Sequence, residues 1–128
     1  MNIHGVLGAV FGLLGVALGA FGAHGLQGRL TPEDLATFET AVRYQMYHSL
    51  ALLLAANLSL RGFTGARALA GWAFSFGILV FSGSLYALVL TGERWLGAVT
   101  PIGGVAFLIG WGTLAWMFFR SRGTEKEI

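Results

Sequence analysis

Four apolar runs, residues 3–23, 44–60, 69–90 and 96–119, take up most of this 128-residue chain and limit what it can become. A helix rises 1.5 Å per residue, so roughly 20 apolar residues cross the ~30 Å hydrocarbon core of a bilayer. Each run is near that length. Only 11% of the residues are charged and the mean hydropathy is +0.71, whereas soluble domains carry roughly 25% charge. The pattern predicts an all-α membrane protein. It is read as one domain, a four-transmembrane-helix bundle with spans near residues 3–23, 42–60, 69–90 and 101–119.

The first run carries its own packing instruction. Gly5, Gly8, Gly12, Gly15, Gly19 and Gly22 follow one another at steps of 3, 4, 3, 4 and 3, the seam spacing of a helix lying lengthwise against a neighbour. In water, interior glycine costs up to about 1 kcal/mol relative to alanine. In a bilayer hydrophobic attraction between helices is lost, and small residues let backbones approach for dispersion contacts. At 100° per residue the stripe drifts slowly, as a left-handed crossing requires. With three other spans available, packing inside the chain is the expected use of the seam.

Charge narrows the class further. The net charge is +2 and there is no cysteine, which excludes disulfides and thiolate metal sites. The cations are too sparse for a nucleic-acid surface. Arg120, Arg122 and Lys126 fall short of the four to eight clustered cations that recognise anionic lipid. The first run lacks a charged leader and exceeds the usual 7–15 apolar residues of a signal peptide, so it is read as a retained helix. Arg61, Arg67, Arg120, Arg122 and Lys126 fall on one side of the bundle, against Arg29, Arg43 and Arg94 on the other. The excess predicts both termini on the cytoplasmic side.

Between the first two runs, Gly22, Gly25 and Gly28 are expected to break the helix. Thr31-Pro32-Glu33-Asp34 then has the form of a helix start, with threonine as cap, proline in the first turn and acids at the positive dipole end. Leu35, Phe38 and Val42 recur at helical spacing, so a short amphipathic extension precedes the second span. Nothing breaks the chain between them, and one continuous helix over residues 32–60 is expected. Residues 61–67 read as a basic loop. Gly71, Ser75, Gly77, Ser82, Gly83 and Ser84 supply small packing positions in the third run. Pro101 predicts a fourth helix starting there with Thr100 as its cap, and Trp95, Trp111 and Trp116 suit the interfacial belt or the ends of a bundle.

Polar chemistry gathers in one place. On a helix Glu39 and Arg43 are four apart and can pair, Arg43 neighbours Tyr47, and Tyr44 and His48 form a second four-spaced pair beside Gln45. With hydrocarbon starting near Val42, His48 lies about 9 Å inside it. Such groups at depth mark a binding site, a hydrogen-bonded tie within the bundle, or an interfacial anchor. His24 is expected at the same membrane side, where a hairpin could bring it toward Glu39 and His48. Two histidines and a carboxylate suit a divalent ion in principle, but their spacing is not diagnostic, and no metal, cofactor or catalytic residue is assigned. Nucleophile elbows, phosphate loops and paired carboxylates are absent from the sequence, and Gly103-Gly104 is a packing feature because no strand precedes it.

Two segments are specific enough to compare. LGAFGAHGL (residues 18–26) and FETAVRYQMYHSL (residues 38–50) resemble the small membrane protein family catalogued as domain of unknown function 423. FSGSLY (residues 81–86) and RWLGAVTPIGG (residues 94–104) are similar to its third and fourth blocks. The resemblance covers nearly the whole chain. It implies a bacterial inner-membrane protein with relatives in mitochondria, and it brings no activity and no residue of assigned role. Three functions compete: a non-enzymatic bundle that assembles with itself or another membrane protein, a small channel or transporter for a lipid, anion or neutral solute using Glu39, Arg43 and His48, and an intramembrane enzyme or cofactor binder. The bundle ranks first.

Overall fold

A computed structural model describes residues 1–124, with side chains through Ser121; Lys126 and the side chain of Arg122, both counted in the charge asymmetry, lie outside it. Four long helices run up and down: α1 (Ile3–His24), α2 (Pro32–Asn57), α3 (Thr64–Thr91) and α4 (Thr100–Thr124). There is no strand among the described residues. The chain is an all-α membrane protein, as expected.

Three helical stretches, Ile3–His24, Thr64–Thr91 and Arg94–Ser121, are each long and apolar enough to cross a bilayer. α2 has the length, at 26 residues, but Arg43, Gln45 and His48 interrupt its apolar face. The most apolar window of α1 is 22% buried, against 44% for that of α3. α3 is therefore central, and α1 is an outer helix held mainly by α2.

The glycine spacing explains how α1 and α2 close. A side chain at Gly8 would meet Leu53 and the Ser49 carbonyl, at Gly15 Met46, at Gly19 Val42 and at Gly22 the Phe38 ring; at Gly12 an added Cβ would lie 4.0 Å from Ser49 Cβ, an ordinary contact. Gly5 is the exception, because it sits over the side chain of Asn2 rather than over α2. Asn2 caps α1 by accepting from the Gly5 N–H at 3.1 Å and donates to the Ala56 carbonyl at 3.0 Å, which ties the start of α1 to the end of α2.

Several expected boundaries move. α1 runs unbroken through Gly22 to His24, and the left-handed residue of the turn is Gly28, at φ +80°. Thr31 caps α2 as expected, its hydroxyl accepting from the Asp34 N–H at 3.1 Å. α2 is continuous, yet ends at Asn57 rather than residue 60. Within it, Phe38 is only 1% exposed and packs against Gly22, so the amphipathic extension is already part of the bundle. The basic loop is shorter than expected: α3 begins at Thr64, and Arg67 reaches back to the Leu58 carbonyl at 2.7 Å. Thr100 is not an N-cap, because a 3-10 stretch at Arg94–Ala98 precedes it and its hydroxyl meets Ser84 Oγ at 2.5 Å. At that same end, Arg94 pairs with Asp34 at 3.1 Å.

α3 and α4 form a second seam. Gly77 and Gly110 lie under the rings of Phe107 and Phe74, and Gly103 lies against the backbone of Phe81. Midway, residues Ile78–Ser82 adopt π-helical geometry. Such single-turn π segments inside α-helices often occur at functional sites. Here the segment carries Phe81 against α4 and Ser82 against α2, where Ser82 Oγ donates to the Ala41 carbonyl at 2.7 Å.

Candidate functional site

Gln45 and His48 of α2 turn inward and between them reach partners on every other helix. Gln45 is 3% exposed. Its amide nitrogen donates to the Phe11 carbonyl of α1 at 2.8 Å, and its amide oxygen accepts from the Tyr86 hydroxyl of α3 at 2.7 Å. Trp111 of α4 donates its indole N–H to His48 Nε2 at 3.1 Å. An indole only donates and a carbonyl only accepts, so the neutral Nδ1–H tautomer of His48 follows, donating to the Tyr44 carbonyl at 2.6 Å. Both ring nitrogens of His48 are committed.

Aromatic rings surround this imidazole. His48 stacks on Phe107 with centroids 3.5 Å apart and planes 7° apart, and Tyr44 stacks on Phe81 at 4.6 Å and 29°. Outside these rings a groove of about 400 Å³ is lined by Tyr44, Tyr47, His48, Phe81, Gly104, Phe107, Leu108 and Trp111. It opens between α2 and α4 onto the outer surface, where Tyr47 is 55% exposed.

The seven candidate residues therefore do not form one cluster. Glu39 and Arg43 pair loosely at 3.7 Å, both exposed, beside Gly19 and Gly22 of α1. Nine helical residues separate Glu39 from His48, which puts them half a turn apart in direction and about 13.5 Å apart along the axis. His24 is exposed at the end of α1. Among the described residues no three His, Cys, Asp or Glu side chains are placed to hold a metal ion. Tyr44, Gln45, Tyr47 and His48 are what the fold brings together.

The sequence reading missed Ser82, Tyr86, Phe107 and Trp111 as members of the site, and placed Trp111 at an interface or a bundle end. Trp111 lies within the α4 span, eleven residues beyond Thr100. A signal was present: a phenol or indole inside an apolar run needs a hydrogen-bond partner when buried. Tyr86 and Trp111 were the residues to ask about.

Residues 18–104 match the family described as "Protein of unknown function (DUF423)". That is two thirds of the chain. The chain belongs to the DUF423 family. The DUF423 match takes in the Gly19 to Gly22 end of the seam, all of α2 and the π segment. Similar relatives are called UPF0382 membrane proteins. One from Staphylococcus epidermidis is 51% identical over 87% of this chain and 90% of its own length. YwdK of Bacillus subtilis is 50% identical over 87% and 91%, and one from Staphylococcus aureus is 48% identical over 96% and 100%. No solved structure matches this DUF423 chain.

Proposed function

We propose that this protein is a non-catalytic helical bundle of the bacterial plasma membrane that acts through assembly, with a second copy or with another membrane protein. The supporting observation is the use to which its buried polar groups are put. Both ends of the Gln45 amide and both nitrogens of His48 are taken up by partners within the chain. Polar groups so engaged tie helices together, and leave little to line a solute path. Glu39 and Arg43, which a transport route would have to connect to His48, lie on another face. The glycine seam is filled by α2, so assembly has to use an outer surface, such as the apolar face of α1 with Leu13 and Val16.

Native mass spectrometry of the protein released from lipid nanodiscs, with crosslinking in the membrane, tests this reading. Dimers or a stoichiometric partner are expected, and a strict monomer that co-purifies with nothing would overturn it. The orientation reading, with both termini cytoplasmic, is tested separately on this cysteine-free chain. Ser59 and Gln27 are both exposed, in loops at opposite ends of the bundle. A membrane-impermeant maleimide applied to intact cells is expected to label Gln27→Cys and to spare Ser59→Cys until the cells are broken. The reverse pattern reverses the orientation.

A further inference from the structure

The groove beside His48 has the dimensions of a ligand site and a position that decides what can enter it. Its volume of about 400 Å³ falls in the usual range for small-molecule pockets. Gly15 of α1 faces Gln45 and Met46. Gly15 is twelve residues from Ile3 and nine from His24, so the Tyr44–His48 turn is level with a point roughly 14–18 Å from either end of α1. That is close to mid-bilayer. Leu108 at the groove's edge is 72% exposed on the outer surface, so an occupant arrives dissolved in hydrocarbon rather than from water.

The lining selects among such molecules. The walls are rings, with the Tyr44–Phe81 and His48–Phe107 stacks side by side, and aromatic rings prefer offset or edge contacts with another flat π system. An acyl chain fills such a groove without using that preference. The phenols give a second requirement. Of the three tyrosines, Tyr86 alone has its hydroxyl hydrogen-bonded among the described residues. At this depth water is not at hand to serve Tyr44 and Tyr47, and an unpartnered O–H in hydrocarbon is costly. An occupant with acceptors on a flat ring meets both demands.

We propose that this groove binds a membrane-dissolved quinone, its ring against the Phe81 and Phe107 wall and its carbonyls accepting hydrogen bonds from Tyr44 and Tyr47. The proposal is one of binding, with no electron transfer. It stands independently of the assembly reading, since the groove lies within a single chain.

The test uses the full chain in phosphatidylglycerol–phosphatidylethanolamine nanodiscs, titrated with a naphthoquinone carrying a short isoprenoid tail and followed by quenching of tryptophan fluorescence. Saturable quenching is expected, because Trp111 is at the site. Tyr44→Phe with Tyr47→Phe is expected to weaken binding about tenfold, as the loss of two modest hydrogen bonds would. Gly104→Leu fills the groove and is expected to abolish saturation. Its added Cβ would have only the Phe81 ring edge near it, at 4.0 Å, and an unchanged thermal midpoint shows that the fold is kept. The ringless isoprenoid alcohol and oleate, used as competitors on unmodified protein, are expected not to displace the probe. Quenching that never saturates, displacement by oleate, or unaltered affinity in a folded double phenylalanine variant would each overturn the proposal. Competition on the unmodified chain decides the matter even where a variant fails to fold.

Discussion

Gly103→Ala is expected to abolish or severely reduce the yield of folded protein, with an effect far beyond that of one methyl group elsewhere in the bundle. A Cβ at residue 103 would fall on the backbone nitrogen of Phe81 and within 2.8 Å of its Cα. Backbone has no rotamer to retreat into, so α3 and α4 would have to separate along their whole seam. Overpacking a close-packed interior typically costs about 1–3 kcal/mol, and more where the structure cannot yield. We expect the upper end of that range or beyond, with a fall in the detergent unfolding midpoint on the order of 10 °C. Gly12→Ala is the control. Its nearest neighbour is Ser49 Cβ at 4.0 Å, and the better helix propensity of alanine makes a neutral or slightly favourable result the expected one. Equal midpoints for the two variants would show that the α3–α4 approach is not as close as described.

The second large effect is expected at Gln45. Gln45→Leu keeps the volume nearly constant but removes the acceptor of the Tyr86 hydroxyl and the donor to the Phe11 carbonyl. That carbonyl keeps its place in the α1 ladder, whereas the phenol is left without a partner inside the bundle. Stranding a buried donor costs about 1–3 kcal/mol, and interhelical hydrogen bonds in membranes fall toward the lower part of that range. A loss of about 1.5 kcal/mol is expected. Tyr86→Phe alone is expected to cost about half as much, and the double variant less than the sum, because removing both partners strands nothing. Reversible unfolding in mixed micelles measures the cycle. Strict additivity would mean that Gln45 and Tyr86 do not interact.

How far the sequence foretold this arrangement depended on the range of the interaction. The α1–α2 seam was readable because Gly8 to Gly22 repeat within one helix, and a stripe without side chains has few uses other than close approach. The Thr31 start was readable because its hydroxyl serves the Asp34 N–H three residues on. The separation of Glu39 from His48 was also there to be read, since a spacing of nine puts two residues on opposite sides of any helix. What could not be read crosses long stretches of chain. His48 and Trp111 are 63 residues apart and Gln45 and Tyr86 are 41 apart, and nothing local in either member names the other. The π segment is of the same kind. Residues Ile78–Ser82 include no proline or glycine to mark an irregular turn, and the contacts made there, Phe81 with Gly103 and Ser82 with Ala41, are both to distant parts of the chain.

The polarity of α2 bears on how the chain comes into being. α1 can enter a bilayer on its own composition, and so can the stretches Thr64–Thr91 and Arg94–Ser121. α2 is made second, and the groups that satisfy it, Ser82, Tyr86 and Trp111, are translated afterwards. With an arginine costing about 2.5–3.5 kcal/mol near the centre of an inserting segment, the nascent α2 is better placed at the headgroups until α3 and α4 emerge. A chain truncated after Thr91 is then expected to leave more of α2 on the membrane surface than the full chain does. Protease protection of α2 in inside-out and right-side-out vesicles would read the difference. Equal protection in the two chains would show that α1 and α3 suffice to draw it in. Its final seat is thus a property of the finished bundle, and the order of synthesis leaves the most polar helix waiting for the last.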